Sequence, residues 1–132
     1  MLDAKGVFTP LSTSDPLSLH DGTENADLKQ YQQVVGALQY LSFTRPDLAF
    51  FVNKFPQFMH KLSVRHWQAM KRVLRYLKHT FTYGLQIMPA THHALTVYKD
   101  ADWAGDIDDR MSTSAYVVFF GSTHISWSSK KQ

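Results

Sequence analysis

Asp100, Asp102, Asp106, Asp108 and Asp109 fall within ten residues of one another. They follow a stretch, Leu48 to Lys99, that holds no acidic residue and eight cations: Lys54, Lys61, Arg65, Lys71, Arg72, Arg75, Lys78 and Lys99. Clustered carboxylates can hold divalent cations, and a cationic surface leading up to them attracts phosphates. Together they suit a metal-dependent enzyme acting on a polyanion. The plainer reading is a surface turn, where Asp and Gly are common for backbone reasons. A calcium loop fits poorly. Asp100, Asp102, Gly105 and Asp108 match four positions of an EF-hand, but Met111 stands where the closing glutamate belongs, and the flanks read as strands.

Other chemistries have less support. His92 and His93 are adjacent, so on an extended chain their rings point apart, and no further ligand lies at zinc spacing. Ser and His are plentiful without a nucleophile-elbow sequence, and there is no glycine-rich phosphate loop. The absence of cysteine excludes disulfides and thiolate metal sites, and is compatible with a reducing compartment.

The elements that must position these residues are legible in part. Residues 1–26, punctuated by Gly6, Pro10, Pro16 and Gly22, show no sustained apolar period and are expected to be an extended or mobile linker. Leu28, Tyr31, Val35 and Leu38 recur at helical spacing, which predicts a helix over 27–42, with Gly36 tolerable if a neighbour packs closely there. A second helix is expected to start at a Thr44 cap, with Pro46 in its first turn and Asp47 capping back, and to kink or end near Pro56. The clearest helix covers about 63–79. Trp67, Met70, Val73, Leu74 and Leu77 share one face, and Arg65, Gln68, Lys71, Arg72, Arg75, Lys78 and His79 fall on the opposite arc. A face of single-signed charge suits phosphate contact; its plainer reading is a solvated surface.

After Gly84 the pattern becomes extended. Strands are expected at Gly84–Met88, Ala94–Asp100, Ser114–Phe120 and Thr123–Trp127, the last two joined by a hairpin at Gly121-Ser122. Strand alternation puts Thr96, Tyr98 and Asp100 on one side and Leu95 and Val97 on the other, so Asp100 should end the strand away from its apolar packing. Helices first and strands second give an α+β class, with an antiparallel meander of three or four strands and two pieces meeting near Pro89.

The 132 residues have room for one modest domain or two small pieces, and a formal net charge of +3 argues only weakly for an anionic partner. No apolar run reaches the roughly 20 residues of a membrane span, and the start lacks a signal-peptide layout. The expectation is a soluble intracellular protein, cytoplasmic or nuclear, with no membrane partner.

Several runs of residues resemble one family closely. They are Tyr31 to Thr44 (YQQVVGALQYLSFT) with Arg45-Pro46-Asp47; His66-Trp67 with Lys71 to Lys78 (KRVLRYLK); and Tyr98 with Asp100 to Gly105 (DADWAG). Arg110, Ser112-Thr113-Ser114 and Ser126 to Gln132 (SWSSKKQ) continue the match, and Thr9-Pro10-Leu11 and Leu19 to Thr23 extend it into the linker. In this order they resemble the Pol polyprotein of copia-type long-terminal-repeat retrotransposons. The resemblance implies residues 1–26 as linker, 27–88 as the thumb and connection of the reverse transcriptase, and 89–132 as the N-terminal part of a ribonuclease H-like fold. It implies contact with an RNA–DNA hybrid or duplex through Arg65, Lys71, Arg72, Arg75 and Lys78. It makes Asp100 the first catalytic, metal-binding carboxylate, with Mg2+ or Mn2+ in the complete enzyme; Asp102 belongs to the same motif without an assigned metal.

The family's polymerase carboxylates and later ribonuclease H carboxylates have no counterpart among these residues. The chain by itself is therefore expected to be inactive, to bind no metal tightly, and to need the remainder of the polyprotein as partner, as a fragment of a truncated or decayed copy would. The alternative is a non-enzymatic nucleic-acid-binding or structural module derived from such an element. Ala115 and His79 replace glycines usual in the family, which predicts backbone strain there if the glycine conformation was required.

Overall fold

The structure, a computed structural model, describes residues 5–11, 16–20, 27–89 and 92–132. Its elements are the helices α1 (Leu28–Leu41), α2 (Ala49–Lys54) and α3 (Val64–His79), then the strands β1 (Leu95–Ala101), β2 (Thr113–Phe120) and β3 (Thr123–Lys131). The class is α+β. No helix among the described residues is long and apolar enough to cross a membrane.

The chain divides into two compact units that interleave in sequence. The first takes the described residues up to Val35 and the run Phe55–Tyr83; the second takes Gly36–Lys54 and the described residues from Gly84 onward. Helix α1 passes from one unit into the other at Gly36.

In the first unit, α1 begins where the Asp27 carboxylate accepts a hydrogen bond from the Gln30 amide at 3.0 Å, a side-chain cap for an otherwise open amine end. Tyr31 and Val35 are buried with Phe55, Phe58, Leu62, Met70 and Val73. Pro56 has the expected effect: α2 stops at Lys54 and the chain tightens into a 3-10 turn over Phe55–Phe58. The Tyr31 hydroxyl donates to the Phe55 carbonyl at 3.1 Å, and burial raises its pKa above the ordinary tyrosine value.

Helix α3 opens with a reciprocal cap. The Ser63 hydroxyl accepts from the His66 amide at 3.3 Å, and the His66 ring nitrogen Nδ1 accepts from the Ser63 amide at 3.1 Å. The buried stripe of this helix is His66, Met70, Val73 and Tyr76, while Trp67, Leu74 and Leu77 are half-buried. The stripe is thus turned from the one that hydropathy alone predicts, because the flat rings of His66 and Tyr76 pack inward. His66 stacks on Phe58 with ring centres 4.0 Å apart.

In the second unit the expected start of the next helix is corrected. The Thr44 hydroxyl donates to the Leu41 carbonyl at 3.2 Å, so it closes α1 and does not open a new helix. Asp47 does not cap back. Its two carboxylate oxygens take Arg45 Nε at 2.9 Å and Nη2 at 2.8 Å, a fork that holds a 3-10 turn over Pro46–Leu48.

The three strands form an antiparallel meander in the order β1-β2-β3. Gly121, at φ 59°, and Ser122 make the hairpin turn between β2 and β3, as their sequence predicts. A bulge lies opposite the Val118/Phe119 step: Val118 pairs with Ser126 and Phe119 with His124, which leaves Ile125 as the extra residue. The predicted strand Gly84–Met88 does not form. Its last residue meets β3 through a side chain only, the Met88 amide donating to the Thr123 hydroxyl at 3.2 Å. Nor do Ala115 and His79 show the strain predicted for them: the non-glycine residues at positive φ among those described are Ala104 (50°) and Arg110 (60°).

Candidate nucleic-acid interface and the aspartate cluster

Helix α3 sets the spacing of the five cations that the sequence singles out. Lys71 and Lys78 are exposed, and Arg65, Arg72 and Arg75 are half-buried along the same arc. The helix contains no acidic residue, so no carboxylate from its own turns neutralises that arc. Lys71 holds its ammonium 5.6 Å from the centre of the Trp67 ring, a cation–π approach that leaves its charge available.

Two short pieces of the expected linker lie against this helix. Arg72 donates from Nε to the Thr9 carbonyl at 3.2 Å and from Nη2 to the Thr9 hydroxyl at 2.8 Å. The Phe8 ring meets the His79 ring edge-on at 4.4 Å. Further along, His66 Nε2 lies 2.7 Å from the Ser18 carbonyl, and Lys61 Nζ lies 2.9 Å from His20 Nδ1. These two pieces carry no helix or strand and have partners in the first unit; the rest of the expected linker, 1–4, 12–15 and 21–26, lies outside the described residues. The signal in the sequence was the apolar cluster Val7, Phe8 and Leu11, too short to show a period.

The aspartates separate into distinct tasks. Asp106 is 7% exposed, and one of its carboxylate oxygens takes Lys54 at 2.7 Å and Lys131 at 3.0 Å. Its other oxygen accepts the Asp108 amide at 2.9 Å. Burial pushes this carboxyl up, but the hydrogen bonds from Lys54, the Asp108 amide and Lys131 outweigh it and hold the group well below the usual carboxylate range. Asp109 is lowered as well, first by its 2.7 Å contact with Lys131. Burial lowers the Lys131 pKa, and its bonds to Asp109 and Asp106 more than reverse this, raising it.

Asp102 secures the end of β1. Its amide donates to the Thr113 carbonyl at 3.1 Å and its carboxylate accepts the Thr113 amide. A Cβ on Gly105 would overlap that carboxylate, so any larger residue there would have to displace the Asp102 side chain from its present place. Asp102, Asp106 and Asp109 therefore build a turn over 102–112 and do not converge on a cation.

Asp100 is different. It pairs with Ala115 on β2 and lines an open groove of about 530 Å³ together with Tyr98, Val117, Trp127, Phe50 and Asp47. The expectation that Asp100 ends the strand away from apolar packing is corrected. Its face carries Val117 and Trp127 and is the one beside α2, whereas Leu95 and Val97 on the other face are 64% and 57% exposed. Helix α2 is fastened to that side by Asn53, whose amide donates to the Ser129 carbonyl, and Trp127 Nε1 donates to the Ser42 carbonyl at 3.0 Å.

The other carboxylate of the groove, Asp47, already has both oxygens on Arg45. Among the described residues no group of three or more His, Cys, Asp or Glu side chains is placed to hold a metal ion. The described residues around Asp100 therefore do not by themselves supply the several carboxylates that a site for one or two divalent cations needs.

Two Arabidopsis thaliana proteins match the chain from end to end. The retrovirus-related Pol polyprotein from transposon RE2 is 52% identical over all 132 residues, and that from transposon RE1 is 50% identical over the same span. The chain belongs to the copia-type retrotransposon Pol polyproteins. This Pol segment spans 9% of the length of either of those relatives. It is also 50% identical over 103 residues to secreted RxLR effector protein 161 of Plasmopara viticola, covering 72% of that protein. No family model and no solved structure matches it. The end-to-end alignment with the two Pol polyproteins includes α3, the Asp100 groove and the 102–112 turn alike.

Proposed function

We propose that this chain is the part of a copia-type Pol polyprotein where the reverse transcriptase passes into the ribonuclease H. In that reading α3 belongs to the thumb and connection and grips an RNA–DNA hybrid through Arg65, Lys71, Arg72, Arg75 and Lys78. The meander opens the ribonuclease H-like fold, and Asp100 supplies the first carboxylate for Mg2+ or Mn2+. The observation that carries it is α3 itself: five cations on one arc of a helix without an acid. Sequence-independent grip on a duplex rests on such charge, because each neutralised phosphate releases counterions. The position of Asp100 at the rim of a groove supports the second half of the reading. The remaining metal ligands would come from elsewhere in the polyprotein, and no catalytic step is assigned to this chain.

The test is hybrid binding across a salt series. Affinity should fall steeply with salt, and replacing Lys71, Arg72 and Arg75 together by alanine should flatten the log–log slope by about 2 to 3. Equal slopes for the two proteins would remove the grip. Hybrid cleavage by the chain alone with Mg2+, lost in Asp100→Asn, would show instead that it completes a metal site by itself.

A stand-alone, non-enzymatic module is a second reading, favoured by one observation: this stretch makes up most of the shorter Plasmopara viticola relative. A monodisperse, cooperatively folding chain that binds hybrid and does not cleave it would favour this module.

A further inference from the structure

Resting on the reading of α3 as a duplex-gripping helix, we infer that residues Gly6 to Thr9 form a strap that competes with nucleic acid for one side of it. Arg72 offers two edges that fit a pair of phosphate oxygens, and its Nε–Nη2 edge is taken by the Thr9 carbonyl and hydroxyl at 3.2 and 2.8 Å. These acceptors are neutral, so they occupy the donors without cancelling the charge, and a phosphate oxygen is the stronger competitor.

The strap also covers the ground beyond Arg72. The Phe8 ring stands edge-on over His79 at 4.4 Å while remaining 82% exposed, so little of its surface is held against the protein. Gly6 runs flush against the same ring: a Cβ there would sit 3.0 Å from both Cβ and Nδ1 of His79. The contact is thus close in geometry and small in area, which is what a displaceable cover requires. Duplex binding would exchange the Thr9 acceptors for phosphate and lift Phe8 from His79. The free chain would then engage fewer phosphates than its cations allow.

The experiment compares hybrid binding by the unaltered chain, Phe8→Ala/Thr9→Ala, Arg72→Ala, and the combination of all three changes. Loosening the strap should tighten binding about fivefold and steepen the salt slope by about 0.9, one additional phosphate. The same strap changes in the Arg72→Ala background should do neither. Amide exchange on the unaltered chain gives a reading that needs no variant: residues 6–9 should exchange faster once hybrid is added. Salt-dependent binding that the strap changes leave as it was, or weaken, with unaltered exchange at 6–9, overturns the strap and leaves α3 as the duplex-gripping helix. Absence of salt-dependent binding by the unaltered chain overturns both.

Discussion

Asp106 turns inward between two lysines that come from distant parts of the sequence, Lys54 at the end of α2 and Lys131 at the end of β3. Removing its charge leaves two ammonium groups facing each other with a shared partner gone. Asp106→Asn should cost on the order of 3 kcal/mol in urea unfolding, the usual scale for breaking a largely buried pair. The pH dependence rests on the lowered folded pKa of Asp106 and Asp109. The unfolded chain takes up protons first, so this stabilisation is whole at neutral pH and is lost as pH falls below about 4. Urea midpoints measured between pH 7 and 3 should therefore drop less in Asp106→Asn than in the unaltered chain. At this scale the sequence was legible by half. A cluster of acids in a Gly-containing turn was visible, but which acid faces a lysine depends on Lys54 and Lys131, far away in sequence. Asp100 was visible as a strand-end carboxylate. The side it faces was not, because Leu95 and Val97 looked like core residues and lie on an exposed edge strand.

Helices were the most legible elements, since a period near 3.6 needs no partner to be seen. Pro56 ended α2 by local sterics alone, and α3 runs Val64–His79 where its period is legible over about 63–79, though its Ser63 cap shows only in the structure. The facing of α3 was less legible, because a hydropathy ranking does not credit His66 and Tyr76 with the packing their flat rings provide. Thr44 misled for a related reason: a hydroxyl between two helices can serve the end of one or the start of the next. Gly36 gives a test at this scale. A close neighbour would have made this glycine tolerable, but a Cβ added there would meet nothing within 4 Å among the described residues. Gly36→Ala should therefore recover about 1 kcal/mol of helix propensity. That corresponds to a rise of roughly 4–8 °C in thermal midpoint for a unit of this size, readable by circular dichroism. An unchanged or lower midpoint would mean that glycine serves some conformation α1 must adopt.

For the molecule as a whole, the sheet pairs in the order β1-β2-β3, and every residue of β1 is exposed. Open backbone donors and acceptors beside exposed Leu95, Val97 and Tyr98 invite pairing with another strand. Sedimentation at rising concentration should show self-association, and Val97→Lys should suppress it; the same concentration dependence in both would place the contact elsewhere. The α+β class was legible from the change of period after Gly84. The grouping of residues into compact units was not, because Gly36–Lys54 belongs with strands that begin some forty residues later.

That interleaving has a practical outcome for anyone dissecting the polypeptide. Because the backbone crosses between units at Val35/Gly36, Lys54/Phe55 and Tyr83/Gly84, a single scission cannot release either one whole. A shortened protein beginning at Gly84 would keep the hairpins yet lose Lys54, Asn53 and the tryptophan's carbonyl acceptor at Ser42. Rejoining Gly36–Lys54 to Gly84–Gln132 by an engineered linker is the dissection that the connectivity permits, and it would keep all three.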